Sequence, residues 1–189
     1  MQEGLEEPRV LLLHGDVTEE LAQEFMEGLI ALRALDPVRE ITVYLDTYGG
    51  SPYSMFAMHD MMRYVGCPIH TVGVGKVMSS GVLLLAAGDK RSIMPNSFVM
   101  MHQVSSGLYG KTSTMEVELT HLYDVQDRTY DLYAKYTGRS REEIDRYLAD
   151  SHDKFMTAEQ AKEFGLVDDI VTFHKDGPSM RPSANASPG

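Results

Sequence analysis

Gly75-Lys76-Val77-Met78-Ser79-Ser80-Gly81 runs without a break into Val82-Leu83-Leu84-Leu85-Ala86-Ala87-Gly88, and the reading of this junction decides the rest of the chain. The segment before it, Ile69 to Val74, has strand character and stops at a glycine, whereas the leucines and alanines after it form helix. Ser79 is thereby predicted at a tight bend, at a helix N-terminus. Free backbone N–H groups and the positive end of the helix macrodipole gather at such a point, and both stabilise an oxyanion forming beside an attacking serine oxygen. Half of a G-x-S-x-G nucleophile elbow is present: Gly81 holds the second glycine position and Val77 the first. Small residues at a strand-to-helix turn also serve close packing, so this segment alone leaves the serine's role open.

Outward from the junction, strands and helices alternate. Arg9-Val10-Leu11-Leu12-Leu13 reads as a buried strand, and Asp16-Val17-Thr18-Glu19 as a helix start with an acidic first turn. Leu21, Phe25, Leu29 and Leu32 keep helical spacing until Pro37. Glu40 to Leu45 is extended again, with Ile41, Val43 and Leu45 on one face. A helix follows with Met55, Met58, Met62 and Val65 on one stripe, and Cys67-Pro68 leads into the strand before Ser79. This βαβα order predicts a mainly parallel sheet with right-handed crossovers. Two short extended pieces flank Pro95-Asn96, the second ending at Val99-Met100-Met101-His102.

The chain has 189 residues, enough for one domain with a self-sufficient core. Its one cysteine, Cys67, excludes an intrachain disulfide and Cys-rich zinc sites, which points to a reducing compartment. Met1 to Val10 is acidic and polar, unlike a signal peptide, and no apolar run approaches membrane-spanning length. The expectation is a cytoplasmic protein with no membrane partner. A formal charge of −11 argues against nucleic acid, because phosphate binding needs a basic surface.

The second half has a different character. Thr112 to Thr137 contains no proline, carries Met115, Leu119, Leu122 and Val125 on one side, and is stopped by Gly138. A helix longer than a small core requires must cover its remaining apolar surface with something else, and another subunit is the simplest candidate. Ser140-Arg141-Glu142-Glu143 and Thr157-Ala158-Glu159-Gln160 are capping boxes opening two further helices. After residue 173 the composition is that of a disordered tail, 174–189.

Nucleophilic catalysis by serine needs a base within hydrogen-bond reach and a group to orient it. Of the seven histidines, His59 and His121 read as solvated helix surface and His70 as a packed strand histidine. His102 closes an apolar strand and is followed by the loop Gln103 to Gly107, where a side chain leaves the core for a cleft. Asp153 lies between two helices, just before Lys154-Phe155-Met156. Position alone is compatible with structural roles for both.

Four stretches, in order, resemble the proteolytic subunit of the Clp (caseinolytic) protease family. Asp46-Thr47-Tyr48-Gly49-Gly50 is similar to that family's glycine-rich turn, and Met78-Ser79-Ser80-Gly81 through Gly88 to its serine motif. Met94-Pro95-Asn96-Ser97-Phe98-Val99-Met100-Met101-His102-Gln103 resembles its histidine motif. Asp153-Lys154-Phe155-Met156-Thr157-Ala158, with Glu163 to Asp168, resembles its aspartate motif. The likeness runs from about Arg9 to Val171.

The resemblance implies a crotonase-like α/β fold, a ββα spiral with a long protruding handle helix at about 112–137. The implied domain plan is a short extension at 1–8, a catalytic domain at 9–173 and the tail. Ser79 would be the nucleophile, His102 the base and Asp153 its orienting partner, with the backbone N–H groups of Gly50 and Ser80 as the oxyanion hole. A glycine suits that duty, since a backbone amide approaches substrate closely only where no Cβ intervenes. The implied protein is a serine endopeptidase without cofactor or metal, a ring homo-oligomer (heptamer or tetradecamer) that cleaves unfolded polypeptides in a closed chamber.

Departures from the family pattern bear on its partner, a ring-shaped AAA+ unfoldase. Only Met1 to Pro8 precede the first strand, Thr42 and Tyr44 stand where two alternating aromatics are usual, and the segment between Gly88 and Pro95 is short. Asp46-Thr47-Tyr48 replaces Asn-Ser-Pro, Val104 replaces proline, and His152 replaces the arginine of ring-to-ring contacts. Unfoldase coupling is left open by these residues. The alternative functions for such a chain are a crotonase-fold acyl-CoA hydratase or thioesterase and a non-catalytic ring subunit.

Overall fold

The computed structural model describes residues 8–107 and 109–173. The expectations for the two chain ends, 1–7 and 174–189, lie outside these residues.

Three parallel strands, each followed by a helix, build the first half. They are β1 (Val10–Val17), α1 (Glu19–Leu35), β2 (Ile41–Gly50), α2 (Pro52–Tyr64), β3 (Ile69–Met78) and α3 (Ser80–Ala86). The helix starts follow from side chains that accept orphan N–H groups: Thr18 from Leu21 for α1, and Ser51 from Ser54, ahead of Pro52, for α2. Along β2 burial alternates, Ile41, Val43, Leu45 and Thr47 facing inward. All seven residues of α3 are buried, so it is a core helix rather than an amphipathic one.

The second half supplies β4 (Lys90–Ile93), β5 (Phe98–Met101), α4 (Thr112–Thr137), α5 (Arg141–Tyr147), β6 (Lys154–Met156), α6 (Ala158–Phe164) and β7 (Asp169–Ile170). The sheet runs β1-β2-β3-β4-β7, all parallel, and branches at β3. Residues His70 to Gly73 pair with β4, whereas Lys76 to Met78 pair with β5, which carries β6 antiparallel on its far side.

The branch corrects the sequence reading. The strand does not end at the glycine but continues to Met78, with Gly75 at φ 65 inside it. Against β2, the step from Leu45 to Thr47 is matched by the step from Gly73 to Val77, so β3 carries two extra residues there. That bulge redirects the strand from one neighbour to another and aims its end, Ser79, away from the β4 edge. β6 and β7 were not foreseen either; both are too short to show a period.

Arg9 locks the far end of α1. Its guanidinium, on a residue 7% exposed, donates to the carbonyls of Leu32 at 2.6 Å, Asp36 at 2.8 Å, Arg39 at 3.2 Å and Glu40 at 3.3 Å. One buried guanidinium thus ties the last turn of α1 and its cap to the segment leading into β2.

Helix α4 divides into two parts. Its buried residues are Val125, Thr129, Tyr130 and Tyr133, while Val117, Leu119 and Tyr123 are exposed at 69%, 43% and 59%. The first half therefore extends past the core with apolar side chains uncovered. Gly138, at φ 72, caps the other end, as its position in the sequence predicts. None of the helices among the described residues is long and apolar enough to cross a membrane.

Candidate active site

Ser79 stands where β3 passes into α3. It is the N-cap of that helix, with φ 53 and ψ −126, and no other non-glycine residue among those described has a positive φ. A side-chain-bearing residue in that region costs of order 1–3 kcal/mol, and the surroundings hold it there. Its N–H donates to Met100 in β5 at 2.8 Å, and its carbonyl accepts the Val82 N–H at 3.0 Å. Sheet and helix thus grip the bend from opposite sides.

The grip also places the histidine. Because β5 pairs with the end of β3, with Met78 opposite Met100, the chain leaving β5 passes beside the serine. His102 Nε2 lies 2.7 Å from Ser79 Oγ. For the hydroxyl to donate, the ring must carry its proton on Nδ1. The adjacent Gln103 donates from Nε2 to the carbonyls of Leu148 at 2.8 Å and Ala149 at 3.3 Å, fixing the exit from β5 against the end of α5. Its position in the sequence next to His102 was the sole sign of that duty.

Asp153 is not in this contact. The last β5–β6 pair is Met101 with Lys154, so His102 and Asp153 each lie one residue beyond it. The Asp153 side chain is nonetheless exposed and makes no hydrogen bond or ion pair among the described residues. The turn before it is tied by Asp150, which accepts from Lys154 Nζ at 2.7 Å and from the His152 N–H at 3.2 Å. Those two donors hold the Asp150 carboxyl below its ordinary range, the lysine contributing most.

Gly50 and Ser80 join Ser79 and His102 around one cleft, whose inner wall is Met55 of α2 and Thr129 and Tyr133 of α4. The two glycines ending β2 are there for space. A β-carbon on Gly50 would lie 2.4 Å from the Val17 carbonyl oxygen, and one on Gly49 would lie 2.6 Å from Ser79 Cβ. Buried Thr47 holds the corner by accepting the Gly49 N–H at 2.9 Å. The Ser80 hydroxyl is buried with no partner among the described residues. Tyr133, also buried, has its hydroxyl 3.4 Å from the Ser79 carbonyl oxygen, and burial pushes its pKa well up, so the phenol stays protonated.

Two histidine readings come out differently. His59 is 5% exposed and bonded on both ring nitrogens, Nε2 to the Tyr136 hydroxyl at 2.7 Å and Nδ1 to Asp60 at 2.8 Å, so it joins α2 to the base of α4. Helical periodicity could not reveal that a second helix covers this face. His70 is packed as expected, with Nε2 2.9 Å from the Ser92 hydroxyl, and desolvation lowers its pKa.

The Clp protease family model matches residues 1–174. The chain is 36% identical over 172 residues to the ATP-dependent Clp protease proteolytic subunit 2 of Corynebacterium jeikeium, covering 89% of this chain and 81% of that one. It is equally identical, over 172 residues, to the ATP-dependent Clp protease proteolytic subunit 1 of Thermobifida fusca, with 89% and 77% covered. With a parallel sheet branched at β3, a serine on the bend after it and a long helix extending past the core, the chain belongs to the Clp protease family and has its crotonase-like α/β fold.

Proposed function

We propose that this chain is a serine endopeptidase of the Clp type, and the observation that carries the reading is the 2.7 Å contact between His102 Nε2 and the oxygen of a conformationally strained Ser79. Ser79 Oγ attacks the scissile carbonyl while its proton passes to Nε2, and His102 then delivers that proton to the leaving amine. Water, deprotonated by the same ring, resolves the acyl-enzyme. Asp153 accepts the Nδ1–H and holds the tautomer. The last β5–β6 pair, Met101 with Lys154, leaves His102 and Asp153 each one residue beyond it, a neighbourhood that supports this role. The oxyanion is held by the N–H groups of Gly50 and Ser80, which border the same cleft.

Substrate lies extended between the Gly49-Gly50 corner and the segment after His102, bound through main-chain hydrogen bonds, which gives low sequence selectivity and suits unfolded polypeptides. The uncovered apolar residues on the first half of α4 support a homo-oligomeric ring, heptameric or doubly so, joined through that helix.

A fluorophosphonate probe followed by peptide mass spectrometry tests the chemistry. The adduct is expected on Ser79, absent in Ser79→Ala and greatly slowed in His102→Ala. An adduct on another serine, or none, overturns the assignment. Native mass spectrometry tests the assembly: a ring is expected, which Leu119→Arg breaks into smaller species, and a monomer at micromolar concentration refutes it.

A further inference from the structure

The mechanism above uses the Ser80 N–H but not the group that orients it. The amide belongs to the Ser79–Ser80 peptide, and in a planar trans peptide the C=O and N–H point to opposite sides. Whatever holds the Ser79 carbonyl therefore aims the Ser80 N–H. One donor to that carbonyl is the Val82 N–H at 3.0 Å, the first turn of α3. The other comes from a different part of the fold, the Tyr133 hydroxyl on α4 at 3.4 Å.

Building on the reading of Ser79 as nucleophile, we propose that Tyr133 is a positioning residue of the oxyanion hole: its hydroxyl donates to the Ser79 carbonyl and keeps the Ser79–Ser80 peptide turned so that the Ser80 N–H faces the cleft. Two features of the surroundings make this bond consequential. Ser79 sits at φ 53 and ψ −126, a conformation that a non-glycine residue leaves unless it is restrained. Tyr133 is 3% exposed, and this carbonyl is its hydroxyl's sole partner among the described residues, so a buried donor would otherwise be orphaned. At 3.4 Å the bond is longer than an ordinary O–H···O contact, so a partial rather than a complete loss of activity is expected on its removal.

Tyr133 is also well anchored. One turn earlier Thr129 shares the cleft wall, its hydroxyl bonded to the Val125 carbonyl at 2.8 Å. Tyr130 lies under the Arg141 guanidinium, 5.4 Å from ring centre to Cζ, and Arg141 is held by Asp127, Asp131 and Asp145 at 2.6, 2.7 and 2.9 Å. The base of α4 is thus tied to α5 while its inner face reaches the catalytic bend.

Tyr133→Phe removes the hydroxyl and keeps the ring. With short fluorogenic peptides, kcat is expected to fall roughly tenfold, a fraction of the loss seen when an oxyanion donor is deleted outright. KM should change less than twofold. The inhibition constant of a peptide aldehyde, which forms a tetrahedral adduct, should weaken in proportion to kcat/KM, while that of the matching product carboxylate stays constant. The loss should be the same for Ala, Leu, Met and Ser at the P1 position. An unchanged kcat, a loss that depends on P1, or parallel falls in kcat and melting temperature would each overturn the proposal.

A crystal structure of Tyr133→Phe separates this proposal from the one beneath it. A rotated Ser79–Ser80 peptide is expected, and an unrotated one refutes the positioning role whatever the activity. Should the wild-type protein fail to label at Ser79 while the peptide rotates in the variant, the peptidase reading falls and the structural coupling stands.

Discussion

Gly49 and Ser79 are packed so closely that a β-carbon on the glycine would lie 2.6 Å from Cβ of the serine. The same added atom would come within 2.8 Å of the Met78 carbonyl oxygen and 3.0 Å of the Ser80 nitrogen, all of them rigid parts of the bend. Gly49 also has φ +95, where an L side chain is strained. Gly49→Ala is therefore expected to lose roughly 2–4 kcal/mol of stability. Peptidase activity should fall by about a hundredfold or more, because a displacement of an ångström at the reacting atoms has that effect. Thermal melts and peptide hydrolysis measured together check this; wild-type values in both would show that the bend yields easily.

The neighbouring hydroxyl predicts the opposite. Ser80 Oγ is buried with no partner among the described residues, and its proposed part in catalysis uses only the backbone. Removing an unsatisfied buried hydroxyl relieves its desolvation cost, so Ser80→Ala should leave kcat/KM within about twofold and stability unchanged or raised by up to about 1 kcal/mol. A dead Ser80→Ala enzyme would point to a side-chain role for Ser80.

Asp153 should separate activity from stability. Exposed and without a bond among the described residues, it contributes little to the fold, so Asp153→Asn is expected to alter unfolding free energy by less than about 0.5 kcal/mol. If it orients His102 during catalysis, kcat should drop by roughly a hundredfold or more, with KM little changed. A phosphonate-inhibited crystal structure should then show its carboxylate on His102 Nδ1. Full activity in the asparagine variant would remove Asp153 from the mechanism.

Acid sensitivity should trace in part to Asp168. The Arg91 guanidinium and N–H beside it hold its carboxyl below the ordinary carboxylate range, and Arg91 also bonds the carbonyls of Tyr136 and Gly165, both at 2.9 Å. A folded-state pKa below the unfolded value of about 3.9 means that this stabilisation is present above that value and is lost as pH falls through the folded one. Asp168→Asn is expected to lower the melting temperature at pH 7 and to flatten its decline between pH 5 and pH 3. Equal slopes for variant and wild type would assign the acid response elsewhere.

Much of this protein could be read from its residues in order. Periodicity located α1, α2 and α4, and Gly138 ends α4 as expected, because a helix carries its period and its orphan groups within one stretch of chain; the start expected over Asp16 to Glu19 narrows to Thr18, since β1 runs on to Val17. The bend at Ser79 was legible for the same reason: strand, glycine, small residues and helix formers follow one another directly. Relations between distant segments were not. Leaving the β4 edge for β5 requires two extra residues in β3 relative to β2, and a bulge is defined only against its partner strand. The 2.7 Å contact of His102 with Ser79 depends on that change of partner, as does the place of Asp153 just before β6, a three-residue strand too short to carry a pattern. His59 looked like helix surface because the helix covering it lies 77 residues away, where Tyr136 meets it. Tyr133, one of ten tyrosines, had no mark in the sequence at all; packing α4 against α3 brought its hydroxyl to the Ser79 carbonyl. Local order set the elements and the candidate nucleophile, whereas the groups that bond and aim it were decided by packing between segments far apart in the chain.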